Sequence, residues 1–394
     1  MKIKCSNNLI NLARLFETSG GLFIYGSSVR KRKDVLSLAC FLTVEEVFSL
    51  LENTPYIAKM RSAKNGVLSI ICEGESYSLE TIERESEEGV LAALKRKAQT
   101  FAFTIDALFY NIKTGELYDF FGGFKDLKEK VVKQINENTF ESGEQVLNAI
   151  YLFSEEGFSF EESTLDFLNK NSKSLKKVDG KKKLRFFESL SVENKNALFN
   201  ALNFLSENNL LKYMCFFKGY TFNLMSEDLI LTKLVNNNSI KMFALYIDLY
   251  NFFNKQKQLS VKQFVSLLIK DFYRCSISQQ REVLQIISAY FAFDKNNVRF
   301  FIASNTRNLE TILNLFSVLR EEDCELIANE FALLKMENAP LTESDLNISY
   351  KEIKSLGVEE KRVDSLLRKL LSDCILNPNL NKREKLIKQV IKYM

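Results

Sequence analysis

The 394-residue chain contains no histidine, so acid–base and metal chemistry would fall to its carboxylates. That absence removes the commonest general base and every Ser-His or Cys-His nucleophile pair. Glu73 and Glu75 follow the apolar run Gly66-Val67-Leu68-Ser69-Ile70-Ile71-Cys72, and on an extended backbone residues two apart face the same way. They could share a metal ion, but residues 73–88 carry seven acids against one base, Arg84, which reads as a solvated acidic face. Seven cysteines (Cys5, Cys40, Cys72, Cys215, Cys275, Cys324 and Cys374) lie far apart with no CxxC pair, so reduced thiols and no zinc site of the usual kind are expected.

The other groups with chemical meaning are cations. Eight Lys and Arg against one acid fall in residues 170–185, and eleven against six in residues 351–392, although the net charge is only +4. Basic surface of this kind suits a polyanion, because each neutralised phosphate releases counterions. The plainer account is that Lys-rich helices simply face solvent.

The elements that carry these groups divide the chain. Its length suggests roughly two to four domains. Only three prolines and fourteen glycines interrupt it, and apolar residues recur mostly three and four apart, which reads as predominantly helical. The first 120 or so residues differ. Residues 21–25 (GLFIY) and 66–72 (GVLSIIC) are short apolar runs between turn residues, and residues 107–118 read as strand, turn and strand around Lys113-Thr114-Gly115. After Gly123 the pattern becomes helices joined by Asn- and Ser-rich stretches such as residues 235–239. A last boundary falls near Pro340, where Leu341-Thr342-Glu343-Ser344-Asp345-Leu346 reads as a capped helix entry. The fold class is thus mixed and mainly α, with a small α/β head. The first twenty residues lack an apolar leader core, and no segment approaches eighteen uninterrupted apolar residues, so a cytoplasmic protein without membrane contact is expected.

Three stretches carry a family resemblance. Phe103-Thr104-Ile105-Asp106-Ala107-Leu108, Lys113-Thr114-Gly115-Glu116-Leu117 and Asp119-Phe120-Phe121-Gly122-Gly123-Phe124-Lys125-Asp126-Leu127 are similar to the FTINAL, TGE and DPFGGxxDL signature of bacterial CCA-adding tRNA nucleotidyltransferases and poly(A) polymerases. Residues 141–150 (ESGEQVLNAI) sit where that family carries EDPLRMLRAI, and Glu156-Gly157-Phe158-Ser159-Phe160-Glu161-Glu162-Ser163-Thr164 resembles its LGFxIExxT. The close of the chain, from Pro340-Leu341 through Leu356-Gly357-Val358 to Asn377-Pro378-Asn379-Leu380-Asn381, resembles the tail of the CCA-adding branch.

This resemblance implies a nucleotidyltransferase-like head at residues 1–123, a helical neck at 124–189, a helical body at 190–336 and a helical tail at 337–394. It also implies two divalent ions held by an Asp-x-Asp, with triphosphate gripped by Arg-Arg-Asp and the base read by Asp and Arg in the neck. The chain departs from the family at each of these points. Its turn reads Gly26-Ser27-Ser28-Val29-Arg30-Lys31, and Val35 and Ser37 take the aspartate positions. Asp34 becomes a ligand only if the alignment slides by one residue, which leaves Leu36 as its partner, so it reads as a solvated turn residue. Thr100, Phe101 and Ala102 replace the Arg-Arg-Asp, while Ser142 and Gln145 replace the base-reading pair, with Asn148 and Tyr151 at further arginine positions.

The expectation is therefore a non-catalytic relative with no catalytic or metal-binding residue and no cofactor, Mg²⁺ entering only if an active site survives elsewhere. Its partner would be tRNA or another structured RNA, held by phosphate contacts from Lys176, Lys177, Lys181, Lys182, Lys183, Arg185, Lys361, Arg362, Lys382, Arg383 and Lys385. Two other readings stay open beside it: an active tRNA nucleotidyltransferase with a displaced metal site, and a protein–protein module with an exposed aromatic patch among the thirty-three Phe and fourteen Tyr.

Overall fold

In the computed structural model the described residues are 3–30, 35–84, 89–190, 194, 196–214, 238–257, 259–272 and 277–394. The chain forms two compact units, Met1–Val178 with Asn200–Met214, and Asp179–Phe199 with Cys215–Met394.

The first unit is built on one sheet. Its strands are β1 (Phe23–Tyr25), β2 (Leu36–Cys40), β3 (Ile57–Ser62), β4 (Val67–Cys72), β5 (Glu75–Thr81), β6 (Leu108–Asn111) and β7 (Leu117–Asp119). They lie in the order β3-β4-β5-β2-β1-β6-β7. Only β2 and β5 run parallel, with Ser37 opposite Ser78 and Ala39 opposite Glu80. Helices α1 (Asn7–Leu15), α2 (Ser27–Arg30), α3 (Val44–Leu51) and α4 (Val90–Ala98) flank the strands.

Side chains alternate across a strand, and the two faces acquire separate cores. Ile24, Leu38, Cys40, Tyr77, Leu79, Leu108 and Tyr110 pack with Leu9 and Leu12 of α1 and Val47 and Leu51 of α3. Their strand neighbours Phe23, Ala39 and Phe109 point the other way and pack with Ala93, Leu94 and Ala98 of α4.

The signature segment serves as a corner of this unit. Asp119 accepts hydrogen bonds from the main-chain N–H groups of Phe121 (3.3 Å), Gly123 (2.9 Å) and Phe124 (3.0 Å), capping α5 (Gly123–Glu129). Gly122 adopts a left-handed φ of 76°, and a Cβ on Gly123 would lie 2.0 Å from the Thr104 carbonyl oxygen. The Thr104 hydroxyl in turn donates to Asp126 at 2.6 Å. Beyond α5, β8 (Val131–Val132) pairs in parallel with β9 (Ser159–Phe160), around α6 (Gly143–Ser154) and ahead of α7 (Glu162–Asn171). This short pair corrects the expectation of wholly helical structure after residue 124: main-chain groups of the connection bond to one another where the chain returns beside Val131.

The described elements of the second unit are helical. They comprise α8 (Gly180–Ser189), then α9 (Ala197–Glu207), most of which belongs to the first unit, then α10 (Asn238–Lys257), α11 (Val261–Phe272), α12 (Ile277–Ala292), α13 (Val298–Asn305), α14 (Leu309–Leu319), α15 (Glu321–Met336), α16 (Tyr350–Ser355), α17 (Glu360–Leu376) and α18 (Arg383–Tyr393). Ile302, Ile312, Phe316 and Ile327 centre one core, and Ile353, Val363, Leu370, Leu386 and Val390 a second. Arg299 of α13 ties them, donating to Glu330 (2.6 Å), Glu337 (2.8 Å) and the Ile375 carbonyl near the end of α17 (3.2 Å).

The capped entry after Pro340 yields only the 3₁₀ turn Glu343–Asp345. The α-helix begins later, behind the reciprocal Ser349–Glu352 capping box. Cys5, Cys40, Cys72, Cys324 and Cys374 are free, while Cys215 and Cys275 lie outside the described residues. Burial pushes the Cys40 thiol up to about 12 and that of Cys374 to about 11, so both stay protonated near neutrality. No helix among the described residues is long and apolar enough to cross a membrane.

The two signature glycines separate sterics from backbone preference. Gly123→Ala is expected to destabilise the fold by about 1–3 kcal/mol or more through the clash with Thr104. Gly122→Ala, with nothing within 4 Å of its Cβ, should lose only about 1–2 kcal/mol for the left-handed conformation. Urea unfolding of both variants measures the difference.

Candidate functional site

The face of the sheet that carries Ser37 is the one on which the family resemblance puts chemistry. Val35 is exposed just before β2, and Ser37 lies on the same side of the strand as Ala39. The Ser37 main-chain N–H donates to Ser28 Oγ at 2.9 Å, which fastens the turn after β1 to β2. Aromatic rings cover the adjoining surface. Tyr25 stacks on Phe109 with 5.8 Å between ring centroids, and Phe101 meets Tyr25 edge-on at 5.9 Å. Gly26 holds a left-handed φ of 66°, and a Cβ placed there would stand 3.6 Å from the Phe101 ring.

Glu80 is a carboxylate on this face, and its oxygens are engaged. The Tyr25 hydroxyl donates to Oε2 at 2.6 Å and Lys97 of α4 reaches Oε1 at 2.6 Å. Burial, assisted by Glu80, pushes the Tyr25 phenol far above its ordinary value, so it acts as a fixed donor. The sequence reading missed this cluster. Its signal was the aromatic residue in Thr100-Phe101-Ala102, which fills space as well as removing charge.

Glu73 and Glu75 lie elsewhere. Tyr77 and Leu79 belong to the core on the α1 side, and Glu75 shares their side of β5. Its Oε2 accepts from the Ser6 hydroxyl at 2.7 Å and from the Tyr77 hydroxyl, while Glu73 accepts from Asn8 at 3.2 Å. The pair therefore fastens the start of α1 to the β4–β5 turn, on the face opposite Ser37. Asp34 lies outside the described residues.

The positions at which the resemblance expects a charged base-reading pair hold Ser142, just before α6, and Gln145 on it. Asn148 Nδ2 approaches Gln145 Oε1 at 3.4 Å, and Ser142 is exposed at the N-cap. Gly143 is held there by packing, since its Cβ would lie 2.5 Å from the Ser174 carbonyl oxygen.

Residues 30–133 match the family described as the poly A polymerase head domain. A CCA-adding enzyme of Bacillus licheniformis is 26% identical over 185 residues, 43% of this chain and 45% of that enzyme, so the match spans less than half the length of the relative. The matched part of the chain is thus similar to the CCA-adding enzymes and to the poly A polymerase head domain. Among solved structures, a Bacillus stearothermophilus CCA-adding enzyme in complex with CTP superposes with a TM-score of 0.66 at 15% identity, covering 98% of this chain and 96% of that one. A Thermotoga maritima CCA-adding enzyme complexed with tRNA gives 0.51 at 17% identity, covering 99% and 96%. At these identities the likeness is one of fold.

The donor set does not fit the family's ion pair. Val35 offers no ligand, Ser37 a neutral hydroxyl, and Glu80 is held by Tyr25 and Lys97. Among the described residues no group of three or more His, Cys, Asp or Glu is placed to hold a metal ion.

The basic residues are mostly at the surface. In the first unit Lys176 and Lys177 are exposed, with the Lys176 ammonium 5.2 Å from the Tyr213 ring centroid. In the second unit Lys181, Lys182 and Arg185 of α8 are exposed, but Lys183 is 0% accessible. The expectation that Lys183 touches phosphate is corrected: it lies on the inward side of α8, one residue along from Lys182, where a helix turns by about a quarter of its circumference. Lys361, Arg362, Lys382, Arg383 and Lys385 are all exposed on or beside α17 and α18. Arg383 pairs with Glu352 at 2.8 Å, Lys385 donates to the Asn379 carbonyl at 3.0 Å, and Arg362 to that of Tyr393 at 3.4 Å.

Glu75 carries a pH prediction. Hydrogen bonds from Ser6 and Tyr77 hold its carboxyl below the ordinary value of 4.5, so its ionised form is favoured by folding. That contribution is complete above 4.5 and is lost as pH falls through the lowered folded-state value. Thermal melts between about pH 6 and pH 3 should show an acid-dependent fall in Tm that is smaller in Glu75→Gln, whose neutral amide does not titrate.

Proposed function

We propose that this chain is a non-catalytic relative of the tRNA nucleotidyltransferases that binds tRNA or another structured RNA through phosphate contacts. The observation that carries the first half is the aromatic cover of the head. Where the family resemblance calls for ions and triphosphate, Phe101 stands over Gly26 and against Tyr25, and the nearby carboxylate is tied to Tyr25 and Lys97. Neither Glu73 nor Glu75 is a substitute, because both face the other side of the sheet.

The reading of an RNA partner rests on the exposed cations and on the scaffold. Lys176 and Lys177, then Lys181, Lys182 and Arg185, then Lys361, Arg362, Lys382, Arg383 and Lys385 are its phosphate contacts, falling in the neck (124–189) and tail (337–394) of the proposed head, neck, body and tail division. Duplex RNA presents phosphates and 2′-hydroxyls rather than base edges, so such contacts suffice for recognition by shape. A cytoplasmic location goes with this partner.

Two measurements test the halves separately. Removing one preorganised charge-stabilising element commonly lowers rates by on the order of 10² to 10³. With the carboxylate pair, the triphosphate grip and the base-reading pair all replaced, protein supplied with Mg²⁺ or Mn²⁺, labelled CTP and ATP, and tRNA lacking its terminal CCA should give no extension above buffer. Robust metal-dependent addition abolished by Glu73→Gln or Glu75→Gln would instead establish a displaced site.

For the second half, tRNA affinity should fall steeply with salt, and reversing Lys176, Lys177, Lys181 and Lys182 to Glu should weaken binding across RNA sequences and flatten the salt slope by roughly one for each phosphate no longer neutralised. Lys183→Glu should behave differently, lowering stability because it reverses a buried charge. Salt-insensitive binding, or no binding to any tRNA, would favour a protein partner.

A further inference from the structure

Two acids stand where the resembled motifs carry neutral residues: Asp106 at the Asn of FTINAL, and Glu156 at the Leu of LGF. Both converge on Arg30, which the turn motif retains. Arg30 Nε lies 3.2 Å from Asp106 Oδ1, and its Nη1 pairs with Glu156 Oε2. The Arg30 side chain is 7% exposed and the two carboxylates 13% each, so all three charges are largely withdrawn from water. The Phe158 ring covers the guanidinium, with its centroid 5.9 Å from Cζ.

The three residues come from separate segments of the first unit. Arg30 ends α2 in the turn after β1, Asp106 closes the 3₁₀ turn Thr104–Asp106 before β6, and Glu156 follows α6. A guanidinium presents five donors in a rigid fork, so it can serve two carboxylates from different directions, which an ammonium does less well. Withdrawing a charge from water is unfavourable unless it is paired, and among the described residues Arg30 is the cation that pairs with each acid. The neutral motif residues would impose no such condition. Gaining both acids converts one retained arginine into a joint between three segments.

We propose that Asp106, Glu156 and Arg30 form an ionic latch that locks the turn after β1 to the C-terminal end of α6, so that these segments open only together. The latch goes beyond the RNA-binding reading and stands or falls without it, since it concerns opening within the first unit and not incorporation of nucleotides or affinity for RNA.

Amide hydrogen exchange of the full chain tests it, on the wild type, Arg30→Met, Glu156→Gln and the double variant. The latch requires each single change to accelerate exchange in residues 24–30 and in residues 143–156 together, on the order of a hundredfold for a broken buried pair. The double variant should be no faster than the more damaging single one, because both changes break one joint. Arg30→Lys, able to hold one carboxylate well, should fall between. Acceleration confined to one segment, or effects that add in the double variant, would overturn the latch. If a single variant fails to fold, the triple variant R30M/D106N/E156L decides the matter: it should recover folding by removing every buried charge, and failure to recover would overturn the proposal.

Discussion

The parallel pairing of β2 with β5 is the constraint on which the rest of the first unit depends. It places Ser37 beside Ser78 and Ala39 beside Glu80, and the period of two then assigns every other side chain of these strands to a face. Tyr77 and Leu79 must join the α1 core, Glu75 must follow them, and Glu80 must face α4. A slip of one residue would exchange Glu75 and Glu80 between the faces while removing Leu79 from the α1 core. The apolar core therefore decides where the carboxylates stand, and no rearrangement of side chains alone brings Glu75 to Ser37.

The retained signature and the altered site answer to different forces. Gly123 is required because no Cβ fits against Thr104, and Asp119 and Asp126 hold the corner with hydrogen bonds. These are demands of folding, so their presence carries no information about catalysis. The face beside Gly26 has no comparable demand. Once charged groups are absent from such a cleft, aromatic side chains can occupy it and gain from burial, at about 25 cal/mol per Å² of apolar surface removed from water. Phe101, Tyr25 and Phe109 stand together here, and on the proposed non-catalytic reading their cover opposes a bound triphosphate.

Much of the fold was legible in the sequence because it is written in local patterns. The runs at 21–25 and 66–72 became β1 and β4, the hairpin around Thr114 became β6 and β7, and the helical spacing after Gly123 held apart from β8 and β9. What escaped was set by tertiary contact. β5 was obscured by its acidic surroundings, although Tyr77 and Leu79 alternate as a half-buried strand should. Glu73 is exposed, as its acidic surroundings suggested, but Glu75 is half-buried and engaged by Ser6 from 69 residues away and by Tyr77 along the same strand. Lys183 could not be separated from its neighbours by composition, since only the packing of α8 determines which lysine turns inward. The capture of Arg30 by Asp106 and Glu156 depends on three distant segments meeting, and no spacing rule anticipates it.

If the chain binds RNA without catalysis, as proposed, electrostatics sets how the one can persist without the other. A metal-dependent site fails when one or two specific ligands are lost, because the remaining groups cannot supply a coordination sphere. Phosphate binding is distributed, with each surface cation contributing a similar, salt-dependent increment. On the proposed RNA-binding reading, the burial of Lys183 removes one increment and leaves the others. The pairing of Arg383 with Glu352 is no barrier either, since an exposed ion pair is weak and a phosphate can share or replace the carboxylate at a guanidinium. A scaffold of this kind can therefore lose its chemistry abruptly and its affinity only gradually, and the order in which the two would disappear follows from how many groups each requires.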